Sequence, residues 1–253
     1  MALGAGLTAS VGVKPANAAT TADLRGNDHT WLYRRLDPVT AANRAFRDYL
    51  DGHCMYGVFN SIIGELADQY GEPYSTFPTA MFTYGKAGVV DWATLCGSLN
   101  GAAAAISLLS KDSDPAITEL FRWHETVALP DFRPADATYE DLGSSIAGSP
   151  LCHVSIVAWC EETGFKSFSK ERSERCGWVT ASVAKKTVEI LNAQLDATFS
   201  AAHPFSDSKN ECVACHGKGG VIENARGEME CMTCHGLGDR GNLRETHPTK
   251  LKF

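Results

Sequence analysis

A short sequence occurs twice near the C-terminus of the chain, and it strongly limits what this part of the protein can fold into. The segment CVACHGKG at 212–219 returns as CMTCHGLG at 231–238. The surrounding region, 200–253, has few apolar residues and many Gly, Cys and His. A segment of this size with so little to bury does not fold on a core of its own. We therefore expect a bound metal or cofactor to supply its packing.

Each copy of the repeat contains Cys-x-x-Cys-His, the attachment sequence of c-type haem. Two thiols one helical turn apart reach the two vinyl groups of the porphyrin, and the adjacent imidazole lies under the iron as its proximal ligand. The sequence thus predicts two haem c groups per chain. The predicted thioether residues are Cys212, Cys215, Cys231 and Cys234, and the predicted proximal iron ligands are His216 and His235.

Zinc is the alternative for these cysteines. Fifteen residues separate the two Cys-x-x-Cys pairs, which is also a zinc-ribbon spacing. Cys-x-x-Cys-x-Gly-x-Gly further resembles one repeat of the DnaJ chaperone zinc domain. Histidine supplies only 8 of the 253 residues, so its position directly after both pairs favours haem. A zinc-binding interaction module is the reading that remains if no haem is attached.

Each haem iron can accept a sixth ligand, and histidines that flank the repeat are the first candidates. His203 precedes the first motif by nine residues, and His247 follows the second by twelve. Each is followed by a proline, which restricts the local backbone and would hold the imidazole in place. We therefore predict His203 and His247 as distal iron ligands. His124 is a third candidate, although a histidine on an apolar helical face is more typical of a core.

The N-terminal residues have the form of a processed leader. Residues 1–13 are a small-residue apolar run without charge, and Ala16-Asn17-Ala18 has the Ala-x-Ala form that signal peptidase cuts. This pattern predicts a signal-peptide remnant over 1–18, without its basic front half, and export to the periplasm. The chain contains no run of about 18 apolar residues, so we predict no transmembrane segment. The net charge of −7 argues against nucleic acid as a partner.

The fold class predicted from periodicity is mainly α. Apolar residues recur at three-and-four spacing between Gly-rich and Pro-rich breaks, which is typical of amphipathic helices. Helices are expected over Met55–Leu66, within 101–109, from Ser113, near Cys152–Glu162 and from about Ser169, with a long loop over 129–150.

A change of composition near residue 200 sets the predicted domain boundary. Region 200–253 has seven Lys and Arg against seven Asp and Glu, so the whole net charge lies before it. We therefore expect a helical, cysteine-rich domain over 19–199 and a small, loop-rich di-haem segment over 200–253.

The helical region contains five further cysteines, whose role the residues alone leave open: Cys54, Cys96, Cys152, Cys160 and Cys176. Disulfides are the default in an exported protein, yet an odd number leaves one thiol unpaired. Three of the five lie close to a glycine, where backbone N–H groups can approach sulfur. Four thiolates on converging helices would instead form an iron–sulfur site.

Specific residues also carry a family resemblance. GHCMYGVF at 52–59, LCGSLNGAA at 95–103 and CGWV at 176–179 resemble the redox-active family named for its spaced Cys, Gly-Cys-Ala and Cys pattern. Neither Cys54 nor Cys96 lies in a Gly-Cys-Ala triplet, so the chain departs from that name. With two haem motifs appended, the chain is similar to the split-Soret cytochromes c of sulfate-reducing bacteria.

The resemblance implies a specific set of properties. It implies a helical domain that can hold an iron–sulfur cluster, two bis-His haems, and a homodimer that brings the haems together, with distal ligands from either subunit. It leaves open which four of the five cysteines bind the cluster, and Cys160 is the first we would omit. We predict that the protein is exported and transfers electrons between redox partner proteins. This function is favoured over enzymatic catalysis. A haem-dependent reductase of a small oxidant such as nitrite is the alternative.

Overall fold

The computed structural model describes residues 30–235 and confirms a mainly α fold. The predicted signal-peptide remnant, His29 and His247 lie outside the described residues. The helices of the described part are α1 (Pro38–Tyr70), α2 (Gly97–Leu109), α3 (Ser113–Thr126), α4 (Cys152–Thr163), α5 (Lys170–Leu195), α6 (Asp207–His216) and α7 (Met232–His235), with 3₁₀ helices over Tyr74–Thr76 and Thr79–Gly85. None of these helices is long and apolar enough to cross a membrane.

Helix α1 is defined by its caps and by one internal break. The Asp37 side chain accepts a hydrogen bond from the Thr40 N–H at 2.7 Å, as expected of an N-cap. Gly71 ends the helix with φ 70°, a conformation that glycine adopts without strain. Between them, His53 has φ 66° and ψ −169°, so the helix is interrupted at that residue. This break begins a new helical turn at Cys54.

Helices α1 and α5 form the centre of the fold, with α2 packed against both and α3 packed against α2 and α5. Their shared core contains the apolar positions predicted from periodicity, such as Val58, Ile62 and Val183. The two long helices approach closely at Gly177, where an added Cβ would lie 2.8 Å from the Phe46 ring. This contact places the first half of α1 beside the N-terminal part of α5. In the second half of α1, an added Cβ on Gly57 would lie 2.8 Å from Thr180 Cγ2, so α5 also packs next to Cys54.

The region between α3 and α4 is a long connection, as its prolines predict. It is held by two isolated antiparallel bridges, Leu129 with Ser145 and Leu95 with Leu151. The second bridge matters for the site, because it joins the residue before Cys96 to the residue before Cys152.

The cysteine- and histidine-rich segment lies against the helical domain through a few buried polar contacts. Arg122 of α3 donates to the Pro204 carbonyl at 3.0 Å, and its guanidinium lies over the Phe205 ring. Thr233 Oγ donates to the Gly148 carbonyl at 2.5 Å. These contacts fix residues 200–235 on one side of the helical domain.

Candidate metal centres

Cys54 is buried at the break in α1. The positive φ of His53 turns the chain immediately before this cysteine, and the Cys54 thiol accepts a hydrogen bond from the Ala87 backbone N–H. The Cys54 Cβ lies 3.0 Å from the position that a Cβ on Gly97 would occupy. A larger residue at 97 would therefore push the first turn of α2 away from Cys54.

Cys96 and Cys152 are brought together by the Leu95–Leu151 bridge. The Cys96 N–H donates to the Pro150 carbonyl at 2.9 Å, and the Cys152 N–H donates to the Thr94 carbonyl at 2.7 Å. Each cysteine stands at the N-terminus of a helix, Cys96 as the N-cap of α2 and Cys152 as the first residue of α4. Helix N-termini stabilise thiolates through their unpaired N–H groups and their dipole.

Cys176 joins the group from the middle of α5. The Arg172 guanidinium, one turn earlier, donates a hydrogen bond to the Cys176 thiol. Arg175 precedes the cysteine and is almost completely buried. The cysteine group therefore has two arginines beside it.

In addition to burial, the Cys176 thiol, which lies near Cys54, Cys96 and Cys152, raises the pKa of each of them. Burial raises the pKa of Cys152 to about 12, with further increases from Cys96 and Cys176. Burial also raises the pKa of Cys54 and of Cys96, and the neighbouring thiols act in the same direction. For Cys96 the Leu99 and Ser98 N–H groups oppose this rise, because they donate to the sulfur. Three buried thiols beside the half-buried Cys176 suit a cation that takes up thiolates.

The fifth cysteine, Cys160, lies at the edge of this group. It is two turns after Cys152 on α4 and is partly exposed. Burial raises its pKa, and among the other cysteines only Cys176 contributes to that shift. All nine cysteines are free thiols. Within residues 30–235, no three His, Cys, Asp or Glu side chains lie close enough together to hold a metal ion as they are placed.

The two Cys-x-x-Cys-His motifs face one cleft. A cavity of about 950 Å³ is lined by Cys212 and His216 of the first motif and by Cys231, Cys234 and His235 of the second. Cys215 is exposed and is not part of this lining. The thiols of the two motifs meet, because a hydrogen bond joins Cys212 and Cys231. Burial is the main cause that raises the pKa of Cys231, and the nearby Cys212 is the second.

The His216 ring is oriented by a second side chain. Its Nδ1 lies 2.7 Å from Oδ1 of Asn224, which lies in the connection between the two motifs. A hydrogen bond from Nδ1 to a carbonyl oxygen is the arrangement found in histidines that bind a metal through Nε2. The predicted proximal ligand thus has the kind of support that metal-bound histidines use.

His203 is held by a buried carboxylate of the helical domain. Its Nδ1 lies 2.7 Å from Oε1 of Glu119, and the backbone N–H groups of Ala202 and His203 donate to Oε2 at 2.9 and 3.1 Å. Burial raises the pKa of Glu119, but these hydrogen bonds outweigh it and the pKa is lowered overall. Lys186 lies 3.8 Å from Oε1. The carboxylate is therefore charged and fixes the orientation of the His203 ring.

His124 is placed differently. It is fully buried on α3, and neither ring nitrogen has a hydrogen-bond partner. Burial and the nearby Arg175 lower its pKa to about 3. The ring is therefore neutral and belongs to the interior of the helical domain, on the side of the cysteine group.

Several residues of these centres are not flagged by any sequence motif. Glu119 lies 84 positions before His203 in the chain, so no local pattern links the two residues. Asn224 lies only 8 positions after His216, but this spacing is not characteristic of any motif. Sequence reasoning therefore missed both residues. Arg172 and Arg175 carry a weak signal, since two cations at i and i+3 directly before Cys176 are unusual beside a buried thiol. Only the packing of α5 shows that both arginines face the cysteines.

A helical domain with converging buried thiols, followed by a segment with two haem-attachment motifs, defines a class of redox protein. Residues 56–190 match the model of a family described as "Putative redox-active protein (C_GCAxxG_C_C)". The chain is 42% identical over 217 residues to the split-Soret cytochrome c of Desulfovibrio desulfuricans, which covers 82% of this chain and 78% of that protein. The chain belongs to this redox-active family, and it is related to the split-Soret cytochromes c.

A solved structure extends the comparison to the fold. It is a structure of the split-Soret cytochrome c from Desulfovibrio desulfuricans, described as having a novel iron centre. The two folds superpose with a TM-score of 0.79 at 41% identity, over 86% of this chain and 95% of that one. The resemblance inferred from the motifs is thereby confirmed, and a cytochrome-like redox role follows from it.

Proposed function

We propose that this protein is an exported electron carrier with two haem c groups and an iron–sulfur centre. The observation that carries the proposal is the single cleft lined by both haem-attachment motifs, with the Cys212 and Cys231 thiols in contact. Two haems bound there would be close together. Electrons pass efficiently only between neighbouring redox groups, so this arrangement suits transfer more than catalysis.

The residues present fit two c-type haems. Cys212 and Cys215 would hold one porphyrin and Cys231 and Cys234 the other, with His216 and His235 as proximal iron ligands. His203, fixed by Glu119, has the orientation support expected of a distal ligand. We keep His247 as the second distal candidate. When bound, the haems supply reversible one-electron chemistry, and the chain contributes ligands, orientation and exclusion of water.

The donor set in the helical domain fits an iron–sulfur centre. Cys54, Cys96, Cys152 and Cys176 are the proposed ligands, because Cys176 acts on the other three and the Leu95–Leu151 bridge holds Cys96 beside Cys152. Cys160, on which Cys176 is the only cysteine to act, stands outside this set. Helix N-termini and two arginines supply the positive environment that bound thiolates need. Thr233 of the second haem motif is hydrogen-bonded to Gly148, four residues before Cys152. This contact connects the two proposed centres through a short path.

The test is a pyridine haemochrome assay on protein exported from a host with c-type maturation, together with iron, zinc and acid-labile sulfide analysis. We expect two haems per chain, a low-spin spectrum that does not respond to added nitrite, and additional iron with sulfide. A colourless protein that retains zinc would overturn electron transfer in favour of an interaction module. A spectrum that changes with nitrite would favour the reductase.

Cellular location and assembly form a separate part of the proposal. We propose a periplasmic protein that works as a homodimer, as its relatedness to split-Soret cytochrome c suggests. Fractionation of the native host and sedimentation analysis of the purified holoprotein test these points. Recovery in the cytoplasmic fraction, or a monomer at micromolar concentration, would contradict them.

A further inference from the structure

Arg175 is a buried cation without a carboxylate partner. Only 2% of the residue is exposed. Its Nη2 donates to Ser155 Oγ at 3.1 Å and to the Leu129 carbonyl at 3.5 Å, and its Nε has no hydrogen-bond partner. None of the ion pairs found within residues 30–235 includes this guanidinium.

A second buried arginine in the same domain, Arg122, is paired with a carboxylate. Arg122 is 4% exposed, and its Nη1 lies 2.5 Å from Oε2 of Glu125. Burial of a charge is strongly unfavourable unless an opposite charge or a full set of hydrogen bonds compensates for it. Arg122 has such compensation within the described protein. Arg175 has only neutral partners, namely two oxygen acceptors and the Trp159 ring, whose centroid lies 5.8 Å from the Arg175 Cζ.

The groups that face Arg175 are thiols and one histidine. Arg175 adjoins Cys176 on α5, and its partner Ser155 lies one turn after Cys152 on α4. The other ionisable neighbour, His124, is neutral. Thiolates are therefore the anions available to compensate this guanidinium.

We propose that Arg175 is the built-in counter-charge of the cysteine-ligated iron centre and raises its reduction potential. The inference rests on the proposed function, which places that centre at Cys54, Cys96, Cys152 and Cys176. A centre held by four thiolates carries net negative charge, and reduction adds one more electron from an external donor without making or breaking a bond. A fixed cation nearby stabilises the reduced form more than the oxidised form. Arg172, which donates to Cys176, contributes in the same direction.

The first experiment compares the holoprotein with three variants in a mediated redox titration. Arg175→Met keeps the length and apolar stem of the side chain but removes the charge, and Arg175→Lys restores a charge. Arg133→Met is the matched control, because Arg133 also lies over a tryptophan ring but is exposed. Iron and sulfide content are measured first, and the potentials of the centre and of the haems are then followed separately.

The expected result is specific to the charge. In Arg175→Met the equilibrium constant for reduction of the centre should fall about tenfold, a downward shift of about 59 mV for a one-electron couple. Arg175→Lys should recover most of this shift, while Arg133→Met should match the wild type. Normal iron content with an unchanged potential in Arg175→Met would overturn the inference alone. A wild-type protein without iron and sulfide would overturn the proposed centre, and the inference with it.

Stability provides a second readout that a purely structural arginine would not give. Loss of Arg175 should raise the thermal midpoint of the chelator-treated, iron-free protein, because an uncompensated buried charge is removed. The same substitution should lower the midpoint of the iron-loaded protein, or prevent the centre from assembling. A lower midpoint in both forms would show that Arg175 serves packing, and would overturn its assignment as a counter-charge.

Discussion

At the scale of single residues, buried polar side chains decide how the predicted ligands are held. Glu119 is the clearest case, since one carboxylate accepts hydrogen bonds from the His203 ring and from two backbone N–H groups. A carboxylate bonded to an imidazole raises its basicity and fixes its orientation toward a metal. This support comes from α3, about 80 residues earlier in the chain.

Replacement of Glu119 tests this support. Glu119→Gln keeps the size but removes the charge, so we expect His203 to become a weaker and less ordered iron ligand. Loss of such a partner typically changes metal–ligand affinity by about 10-fold to 100-fold. Binding of carbon monoxide to the reduced haem, which must displace a distal ligand, should therefore become at least about tenfold tighter. Glu189→Gln, at a half-buried carboxylate of α5 that pairs with Lys185, is the control, and equal affinity in both variants would contradict the role of Glu119.

The lowered pKa of the buried His124 predicts how the stability of the protein depends on pH. Its pKa is about 3 in the folded protein against 6.5 in an unfolded chain, so the unfolded state binds the extra proton between these values. Stability is therefore complete above pH 6.5 and is lost as the pH falls. The loss between pH 6.5 and 4.5 amounts to about 2 kcal/mol. Denaturant unfolding of His124→Leu should lack this part of the acid dependence, whereas His153→Leu, which is exposed, should retain it.

At the scale of secondary-structure elements, close helix contacts bring the cysteines together. An added Cβ on Gly101 of α2 would run into the Met55 carbonyl oxygen of α1, which is backbone and cannot rotate away. On α1 the contact is made by Met55, the residue after Cys54. On α2 it is made by Gly101, five residues after Cys96. The spacing of these two helices and the geometry of the cysteine group therefore depend on each other.

Gly101→Ala should separate α1 from α2. Overpacking of this kind typically costs about 1–3 kcal/mol, although the substitution itself favours helix. We expect a lower thermal midpoint and a reduced iron content with normal haem attachment. Ser107→Ala, at an exposed position of the same helix, is the matched control. A more stable Gly101→Ala protein with full iron content would show that the contact is not limiting.

At the scale of the whole molecule, the haem-motif segment is attached to the helical domain by few but buried contacts. Arg122 is central to them, because it pairs with Glu125 and donates to the Pro204 carbonyl. Glu125 in turn accepts from the Glu230 N–H at 3.4 Å, next to Cys231. One ion pair therefore fixes both ends of the described segment.

Removal of Arg122 should weaken this attachment. Arg122→Leu leaves the Glu125 carboxyl buried without its cation, a change that typically costs about 3–5 kcal/mol. We expect faster protease cleavage near residues 199–205, with haem content unchanged. The double variant Arg122→Leu/Glu125→Leu removes both charges and should recover much of the stability but not the Pro204 contact. Cleavage at the wild-type rate in the single variant would contradict this account.

Much of the architecture follows from local sequence patterns. Apolar periodicity and caps predict most of the helices: Ser169 stands at the predicted start of α5, and the prolines of 129–150 mark the long connection. Helix α1 is longer than predicted, because it begins at Pro38 and not at Met55. The break at His53 was not predicted, because periodicity marked only the second half of α1, from Met55, as a helix. His53 itself is exposed, and its positive φ depends on how the two halves of α1 are placed. Local propensity cannot report such long-range packing.

The haem-attachment motifs are fixed by the sequence itself, because two thiols and an imidazole at this spacing need only one turn of helix to act together. The partners of those residues are not fixed in this way. Glu119 reaches His203, and Arg175 reaches the thiols of α2 and α4, through contacts between elements far apart in the chain. The sequence thus determined which groups can bind metal, whereas only the tertiary structure decided which charges surround them, since burial and electrostatics depend on how the helices pack.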